Sequence, residues 1–95
     1  MNKFSKDTVI KTAGDQVSCT VGGEAVILQL KQGTYYGLNE VGAAIWSNLQ
    51  KPKTVGQLQE LMQAGFDVGE EQAERDLEDL LAQLEASGLI VVESI

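Results

Sequence analysis

The 95-residue sequence predicts an α+β domain in which a three-stranded antiparallel sheet is followed by three helices. Two observations support this fold class. Apolar residues alternate along the first half of the chain, which is the period of a strand. In the second half they recur every three or four residues, which is the period of an amphipathic helix. A chain of this length is expected to form a single domain.

The predicted sheet is a meander of three short strands. Residues 16–21 alternate and are rich in β-branched side chains, and Gly22–Gly23 supplies a hairpin turn because glycine tolerates positive φ angles. Residues 24–30 form the second strand. After a turn at Gln32–Gly33, residues 34–38 form the third. The third strand is therefore expected at one edge of the sheet.

The residues before this sheet, 1–15, are expected to be an N-terminal lead-in, and residues 16–95 are expected to be the folded domain. Within the lead-in, Thr8–Ile10 is β-prone. Two alternatives stay open for it, a loose strand or a flexible segment.

The chain has one cysteine and no histidine, which excludes an internal disulfide and a cysteine–histidine metal site. Cys19 alternates with Val17 and Val21 in the first strand of the meander. We expect a small buried side chain here and not a reactive thiol, because no histidine is available to activate it.

Three helices are predicted from apolar spacing and from cap residues. Asn39 is a suitable N-cap for the first helix. Thr54 and Gln57 form a capping box for the second, which Gly65 ends. The third helix is expected from about residue 70 to residue 86.

The third helix is followed by Gly88, a usual C-terminal capping residue, and by an apolar tail at residues 89–92. This tail is expected to pack back as a strand or an extended segment. Trp46, beside the apolar stripe of the first helix, is expected in the core. The order of strands and helices resembles a winged-helix domain.

The net charge of −7 is unevenly distributed. Residues 1–53 carry six lysines against four acidic residues, a net +2, whereas residues 54–95 carry one arginine against ten acidic residues, a net −9. The third helix has Arg75 among seven acidic residues. A DNA recognition helix needs basic side chains to reach phosphates and base edges, so nucleic-acid binding is not expected. The acidic half favours basic or neutral partners.

No catalytic centre is predicted. Histidine, the commonest general acid or base, is absent, and no glycine-rich phosphate loop is present. The paired carboxylates, Glu70–Glu71 and Asp76 with Asp79, fall on a polar helix face, where we expect a solvated surface with an Arg75–Asp79 pair. We therefore expect no enzyme activity, no cofactor and no metal.

The N-terminus lacks the apolar run of a signal peptide, and no stretch approaches the roughly 20 apolar residues that span a bilayer. A cytoplasmic protein without membrane partners is the expectation.

The edge strand, Thr34–Leu38, is the candidate binding site, because an edge presents unpaired backbone groups to another chain. If Leu38 faces the core, Tyr36 shares its face and Tyr35 points to the other side. Three alternatives stay open: capture of an extended peptide, pairing of two edge strands in a dimer, or an ordinary edge protected by its shortness and by Gly37.

The segment from Gly33 to Gly42, GTYYGLNEVG, is followed by Ile45–Trp46, a capped second helix after Pro52, and a Gly-Leu-Ile ending at 88–90. Over about residues 16–92 this pattern resembles the PqqD-like family, the precursor-peptide recognition elements of ribosomal peptide biosynthesis. The single-domain length is most similar to the stand-alone B1 proteins of lasso peptide pathways.

The resemblance implies a protein that is not an enzyme and that binds the leader segment of a precursor peptide. The leader would join the edge strand as a fourth, antiparallel strand, in a groove beside the third helix. The implied peptide-binding residues are Thr34, Tyr35, Tyr36, Gly37, Leu38, Gln72, Arg75, Asp76, Asp79, Leu80 and Gln83. An apolar pocket beside Leu80, lined by a tyrosine, would take a leader side chain.

The implied partners are the leader, a separate B2-like leader peptidase, and an ATP-dependent cyclase. Two other functions remain as alternatives. One is a PqqD-type chaperone for a radical enzyme, and the other is a winged-helix regulator that acts through protein contacts.

Overall fold

The computed structural model describes residues 4–93 of the chain. Its elements, in chain order, are β1 (Val9–Thr12), β2 (Gln16–Val21), β3 (Glu24–Gln29), β4 (Thr34–Leu38), α1 (Glu40–Asn48), β5 (Lys53–Thr54), α2 (Val55–Gly65), α3 (Glu70–Ala86) and β6 (Ile90–Glu93). The predicted α+β class, with a three-stranded antiparallel sheet and three helices, is confirmed.

The main sheet is the predicted antiparallel meander, in the order β2-β3-β4. Val21 pairs with Glu24 across the first turn, and both turn glycines have positive φ, +59° at Gly22 and +85° at Gly23. Two successive residues with positive φ form the turn that matches the twist of a hairpin. The prediction that the third strand lies at a sheet edge is confirmed.

A second, smaller sheet has the order β5-β1-β6. Strand β1 pairs antiparallel with β6, from Val9 opposite Glu93 to Thr12 opposite Ile90, and also with β5. Of the two alternatives for Thr8–Ile10, the structure therefore contains the strand, and the C-terminal tail forms the strand that pairs with it. Ile10 is fully buried in the common core. The assignment of the domain to residues 16–95 stays a prediction.

The helix ends follow the predicted caps. The Asn39 side chain accepts a hydrogen bond from the Gly42 amide at 2.9 Å, which satisfies a free donor of the first turn of α1. Thr54 and Gln57 form a reciprocal capping box at the start of α2. Gly88 follows α3 with a φ of +74°, as expected of a capping glycine.

The core lies between the main sheet and the helices, and its largest fully buried side chains come from β1, from β3, and from the three helices and the residues that follow α1 and α3. They are Ile10, Ile27, Ile45, Leu49, Leu58, Met62, Leu77, Leu81, Leu84 and Leu89. Trp46 is buried as predicted, and its indole N–H donates to the Ser18 hydroxyl at 3.2 Å. No helix within residues 4–93 is long and apolar enough to cross a membrane.

The prediction that Cys19 is buried is wrong, since its side chain is exposed. Ser18 faces α1 through its bond to Trp46, so the alternating residues Val17, Cys19 and Val21 point to the opposite face. Val17 and Val21 are accordingly 53% and 71% exposed. The alternating sequence predicts the strand β2 correctly, but the apolar residues of β2 lie on the face away from the helices.

Candidate functional site

The candidate site begins at the free edge of β4. Strand β4 pairs with β3 on one side, and among the described residues no strand pairs with its other side. The start of α1 packs closely against the end of this strand, because a Cβ at Gly42 would lie 3.1 Å from Leu38 Cδ2. This contact lies at the end of β4, and the outer edge of Thr34–Leu38 has no strand partner among the described residues.

We call the groove the depression on both sides of the Tyr36–Gln83 hydrogen bond, which joins β4 to α3. One side is lined by β4 and the end of α3, and the other by α3, Met62 and the start of α1. Leu38 and Tyr36 face the helices, with Leu38 buried and Tyr36 packed against the core, whereas Tyr35 is 74% exposed on the opposite face. These orientations confirm the prediction for the two tyrosines. The Tyr36 hydroxyl donates a hydrogen bond to Gln83 Oε1 on α3. This bond bridges the groove and separates two cavities.

The first cavity, which we call the α1-side cavity, has a volume of about 360 Å³. Its lining residues are Asn39, Val41, Gly42, Met62, Asp76, Asp79, Leu80 and Gln83. It combines an apolar part with two carboxylates. No tyrosine lines this cavity beside Leu80, so the predicted tyrosine wall is wrong, and Tyr36 reaches the cavity only through its bond to Gln83.

The two carboxylates of the α1-side cavity are open to a basic ligand. Asp76 accepts a hydrogen bond from the Gln72 side chain at 2.8 Å. The predicted Arg75–Asp79 ion pair is absent, and no basic residue of the described range forms a salt bridge with either aspartate. Arg75 instead lies in a depression among Glu71, Glu74 and Glu78, where three acidic neighbours surround it.

The second cavity, which we call the hairpin-side cavity, has a volume of about 290 Å³. Its lining residues are Gln29, Gln32, Thr34, Tyr35, Tyr36, Ala86, Ser87 and Leu89. Gln29 Oε1 accepts from the amides of Lys31 and Gln32, at 2.8 and 3.3 Å, and so orders the loop that leads into β4. This cavity is neutral, in contrast to the acidic α1-side cavity.

The structure brings most of the sequence-predicted site residues together around the groove. Those on β4 or lining the two cavities are Thr34, Tyr35, Tyr36, Gly37, Leu38, Asp76, Asp79, Leu80 and Gln83. Gln72 contacts the groove through Asp76, and Arg75 lies outside both cavities. Sequence reasoning missed Asn39, Val41, Gly42 and Met62. The first three directly follow β4, within the same segment that carried the family resemblance.

The main sheet also presents an exposed face on the side away from the helices, which we call the outer face. Its large exposed apolar side chains are Val17, Val21, Val26 and Tyr35. A third cavity of about 350 Å³ lies at its β4 end, lined by Val21, Glu24, Ala25, Val26, Gly37, Leu38 and Asn39. We call it the Gly37 hollow.

An open sheet edge beside a groove with apolar and charged walls is the geometry that captures an extended peptide by strand addition. Comparison with known proteins places the chain in a family. The family model described as Coenzyme PQQ synthesis protein D (PqqD) matches residues 24–90, and the chain belongs to this family. Among curated proteins, none matches the chain at a significant level.

Two solved structures are similar. TbiB1, in complex with the TbiA(beta) leader peptide, is 36% identical, with 83% of this chain and 93% of that chain covered and a TM-score of 0.76. A lasso peptide synthetase B1, complexed with its leader peptide, has a TM-score of 0.75, with 86% of this chain and 96% of that chain covered. Its identity of 21% makes this second likeness one of fold alone.

Proposed function

We propose that this protein binds the leader segment of a ribosomally made precursor peptide, by strand addition to β4, in lasso peptide biosynthesis. The observation that carries the proposal is the free edge of Thr34–Leu38, which the Tyr36–Gln83 hydrogen bond joins to α3 and beside which the hairpin-side cavity lies. The 36% identity to TbiB1, which was solved with a leader peptide, supports it.

Strand addition gives affinity that tolerates varied sequences, because main-chain hydrogen bonds do not depend on side chains. Specificity then comes from cavities that accept alternate side chains of the added strand. The groove offers two, and they differ in chemistry. The neutral hairpin-side cavity suits a polar or aromatic side chain, while the α1-side cavity suits an apolar or basic one beside Asp76 and Asp79.

In the proposed role the protein carries out no chemistry of its own. It presents the bound precursor to a leader peptidase and, with it, to an ATP-dependent cyclase. Holding the leader raises the effective concentration of the remaining precursor at a docked enzyme. By binding the leader end of the precursor, the protein would assist maturation without a catalytic group of its own.

The test is a fluorescence polarisation titration with the labelled synthetic leader of the precursor encoded nearest to this chain's own gene. We expect saturable binding by the wild type, and weakening of at least about tenfold in Leu80→Asp and Tyr35→Ala, since a few side chains that the bound partner covers dominate interface energies. Leu61→Asp is the matched control. Leu61 is also half-buried against the core, but it lies on α2 and lines neither cavity.

Leu61→Asp should cost similar fold stability and leave the affinity for the leader unchanged. Equal affinities of the wild type and Leu80→Asp, with both proteins folded, would remove the groove from the site. Absence of binding by the wild type up to high micromolar concentrations would overturn the proposed function itself.

The family match supports one further candidate, a PqqD-type partner of a radical enzyme. Both candidates bind a precursor peptide, so they differ in the enzyme that is recruited. Co-purification with a leader peptidase supports the lasso pathway, whereas co-purification with a radical enzyme supports the alternative.

A further inference from the structure

Strand β2 is the second edge of the main sheet, and it lacks the usual protection of an edge strand. Within residues 4–93 no strand pairs with its outer side. The strand has six residues, Gln16–Val21, which pair with β3 without a bulge and include neither a proline nor a charged residue. Edge strands are usually short, charged, bulged or covered, because an open edge can pair with another chain. The unprotected edge of β2 therefore indicates a strand that a partner covers.

The backbone groups of β2 that face away from the sheet belong to alternate residues. The Leu30 amide donates to the Asp15 carbonyl at 2.8 Å, so Asp15 and every second residue after it bond to β3. The amides and carbonyls of Gln16, Ser18 and Thr20 therefore point to the open side. They are available to a further strand.

The exposed side chains of β2 form an apolar row that is the same in both directions. Val17, Cys19 and Val21 project to the outer face, where all three are exposed. Cys19 lies midway between the two valines, so a half-turn about Cys19 exchanges the valines and leaves the row unchanged. This symmetry favours a second copy of the same chain as the partner, because a two-fold interface places one patch against itself.

We propose that two copies of this protein pair through β2, antiparallel and about a two-fold axis at Cys19, and so join their main sheets into one. In this register Ser18 exchanges backbone hydrogen bonds with Thr20 of the partner copy, since both residues have free groups on the open side. Cys19 lies opposite its own counterpart, and Val17 lies opposite Val21. Each exposed apolar side chain of β2 therefore gains an apolar neighbour across the interface.

The charges beside β2 permit this pairing although the chain has a net charge of −7. In the proposed register Asp15 lies opposite Gly23 of the partner copy, and Glu24 lies opposite Gly14, so no two charged residues face each other. Asp15 also has its own partner, the Lys31 ammonium at 3.4 Å. Like-charge repulsion across the strands is therefore avoided.

The helix beside β2 adds a complementary pair of charges. Helix α1 runs antiparallel to β2, since Glu40 lies beside Gly23 and the Trp46 indole bonds to Ser18. The two-fold axis directs the start of α1, with Glu40, towards the end of the partner copy's α1, which Lys51 follows. Opposite charges on the two sides of an interface favour association.

The pairing leaves β4 free in both copies, at the two far edges of the joined sheet. The inference goes beyond the proposed function and does not depend on it, because β2 and β4 are opposite edges. A dimer of this kind would present two leaders at once.

Sedimentation equilibrium of the full chain, in reducing buffer and without leader, measures the association. We expect a monomer–dimer equilibrium for the wild type. Val17→Lys combined with Val21→Lys places lysine opposite lysine in both valine pairs, so the dissociation constant should rise at least about tenfold. Val17→Lys combined with Val21→Glu is the matched control, because it places opposite charges at the same positions and should restore the dimer. Both double variants should keep the fold, since the two side chains are exposed.

Oxidation by diamide tests the position of the two-fold axis. Residues opposite each other between two hydrogen-bonded pairs have Cα atoms about 4.5 Å apart, within the range of a disulfide, so Cys19 should cross-link two copies rapidly. Cys19→Ser combined with Val26→Cys is the matched control, with one thiol on the same face of the sheet. Its two thiols would lie three strand spacings apart, about 14 Å, so cross-linking should fall to the rate of random collision.

Three results would overturn the inference. One is a wild type that stays monomeric at every concentration. Another is equal association of the two charge variants, or equal cross-linking of the wild type and its control. The third is growth beyond a dimer that the leader reverses, which would indicate pairing of β2 with β4. Failure of the wild type to bind the leader would instead overturn the proposed function and leave the sedimentation result unaffected.

Discussion

Adjacent tyrosines in β4 have different roles because a strand turns successive side chains to opposite faces. Tyr36 packs against the core and donates to Gln83, which fixes the spacing between β4 and α3 at the bridge. Tyr35 is exposed on the outer face, next to the position of Gly37. A leader strand beside β4 would thus meet one tyrosine on each of its faces.

Single glycines differ in what the fold requires of them. Gly88 has a φ of +74°, in the left-handed region, and it redirects the chain from α3 to the buried Leu89. Gly65, at the end of α2, has no positive φ, and a Cβ there would meet nothing within 4 Å. Only the first of these positions demands glycine.

We therefore expect Gly88→Ala to lower the free energy of unfolding by about 1 kcal/mol or more, because left-handed backbone is costly for a residue with a Cβ. Gly65→Ala should leave stability unchanged or raise it by up to about 1 kcal/mol, as alanine favours helix. Urea denaturation of the two variants measures both values. Equal effects would contradict the assignment of Gly88 as the conformationally restricted cap.

At the scale of elements, β1 pairs with two strands that lie far from it in the sequence. It pairs with β6 near the C-terminus and with β5 before α2. Its central residue Ile10 is fully buried, while Val9 is half-buried. A strand that fills the core in this way contributes to stability although it lies outside the matched family region, residues 24–90.

Ile10→Ala is expected to destabilise the fold by about 2–5 kcal/mol, through lost burial and a residual cavity. Val9→Ala, in the same strand, should cost about 1 kcal/mol or less. Thermal unfolding of both variants, and of a chain that begins at residue 16, measures the contribution of β1. A truncated chain with an unchanged melting temperature would support a domain confined to residues 16–95, and would contradict this expectation.

The predictable parts of the fold are those encoded by neighbouring residues. The glycine turn at 22–23, the Asn39 cap and the capping box at Thr54 are local, and each was predicted correctly. The pairing of β1 with β6 joins residues about 80 positions apart in sequence, so no local pattern specifies it. Patterns among neighbouring residues determine where helices and strands form, whereas pairing between distant strands depends on the assembled core.

The candidate site, like the fold, could be predicted from the sequence only where local patterns specify it. Alternation in β4 placed the two tyrosines, because period two is a property of any strand. Alternation in β2 could not show which face the helices cover, and Cys19 was assigned to the wrong one. On α3, helical spacing allowed an Arg75–Asp79 pair, but the structure places Arg75 among glutamates instead.

At the scale of the whole molecule, the main sheet separates two environments. Its inner face builds the core with the helices, and its outer face stays largely exposed. The sheet has two edge strands, β2 and β4, and only β4 borders the groove with α3. The proposed function requires that a leader distinguish these two edges of one sheet.

Amide hydrogen exchange, measured by NMR with and without the synthetic leader, tests strand addition most directly. Exchange reports the protection of individual backbone amides, and β2 is an internal control of the same sheet. We predict added protection within Thr34–Leu38, at amides that face the free edge, and unchanged exchange within Gln16–Val21. Saturable leader binding without added protection in Thr34–Leu38 would contradict strand addition to β4.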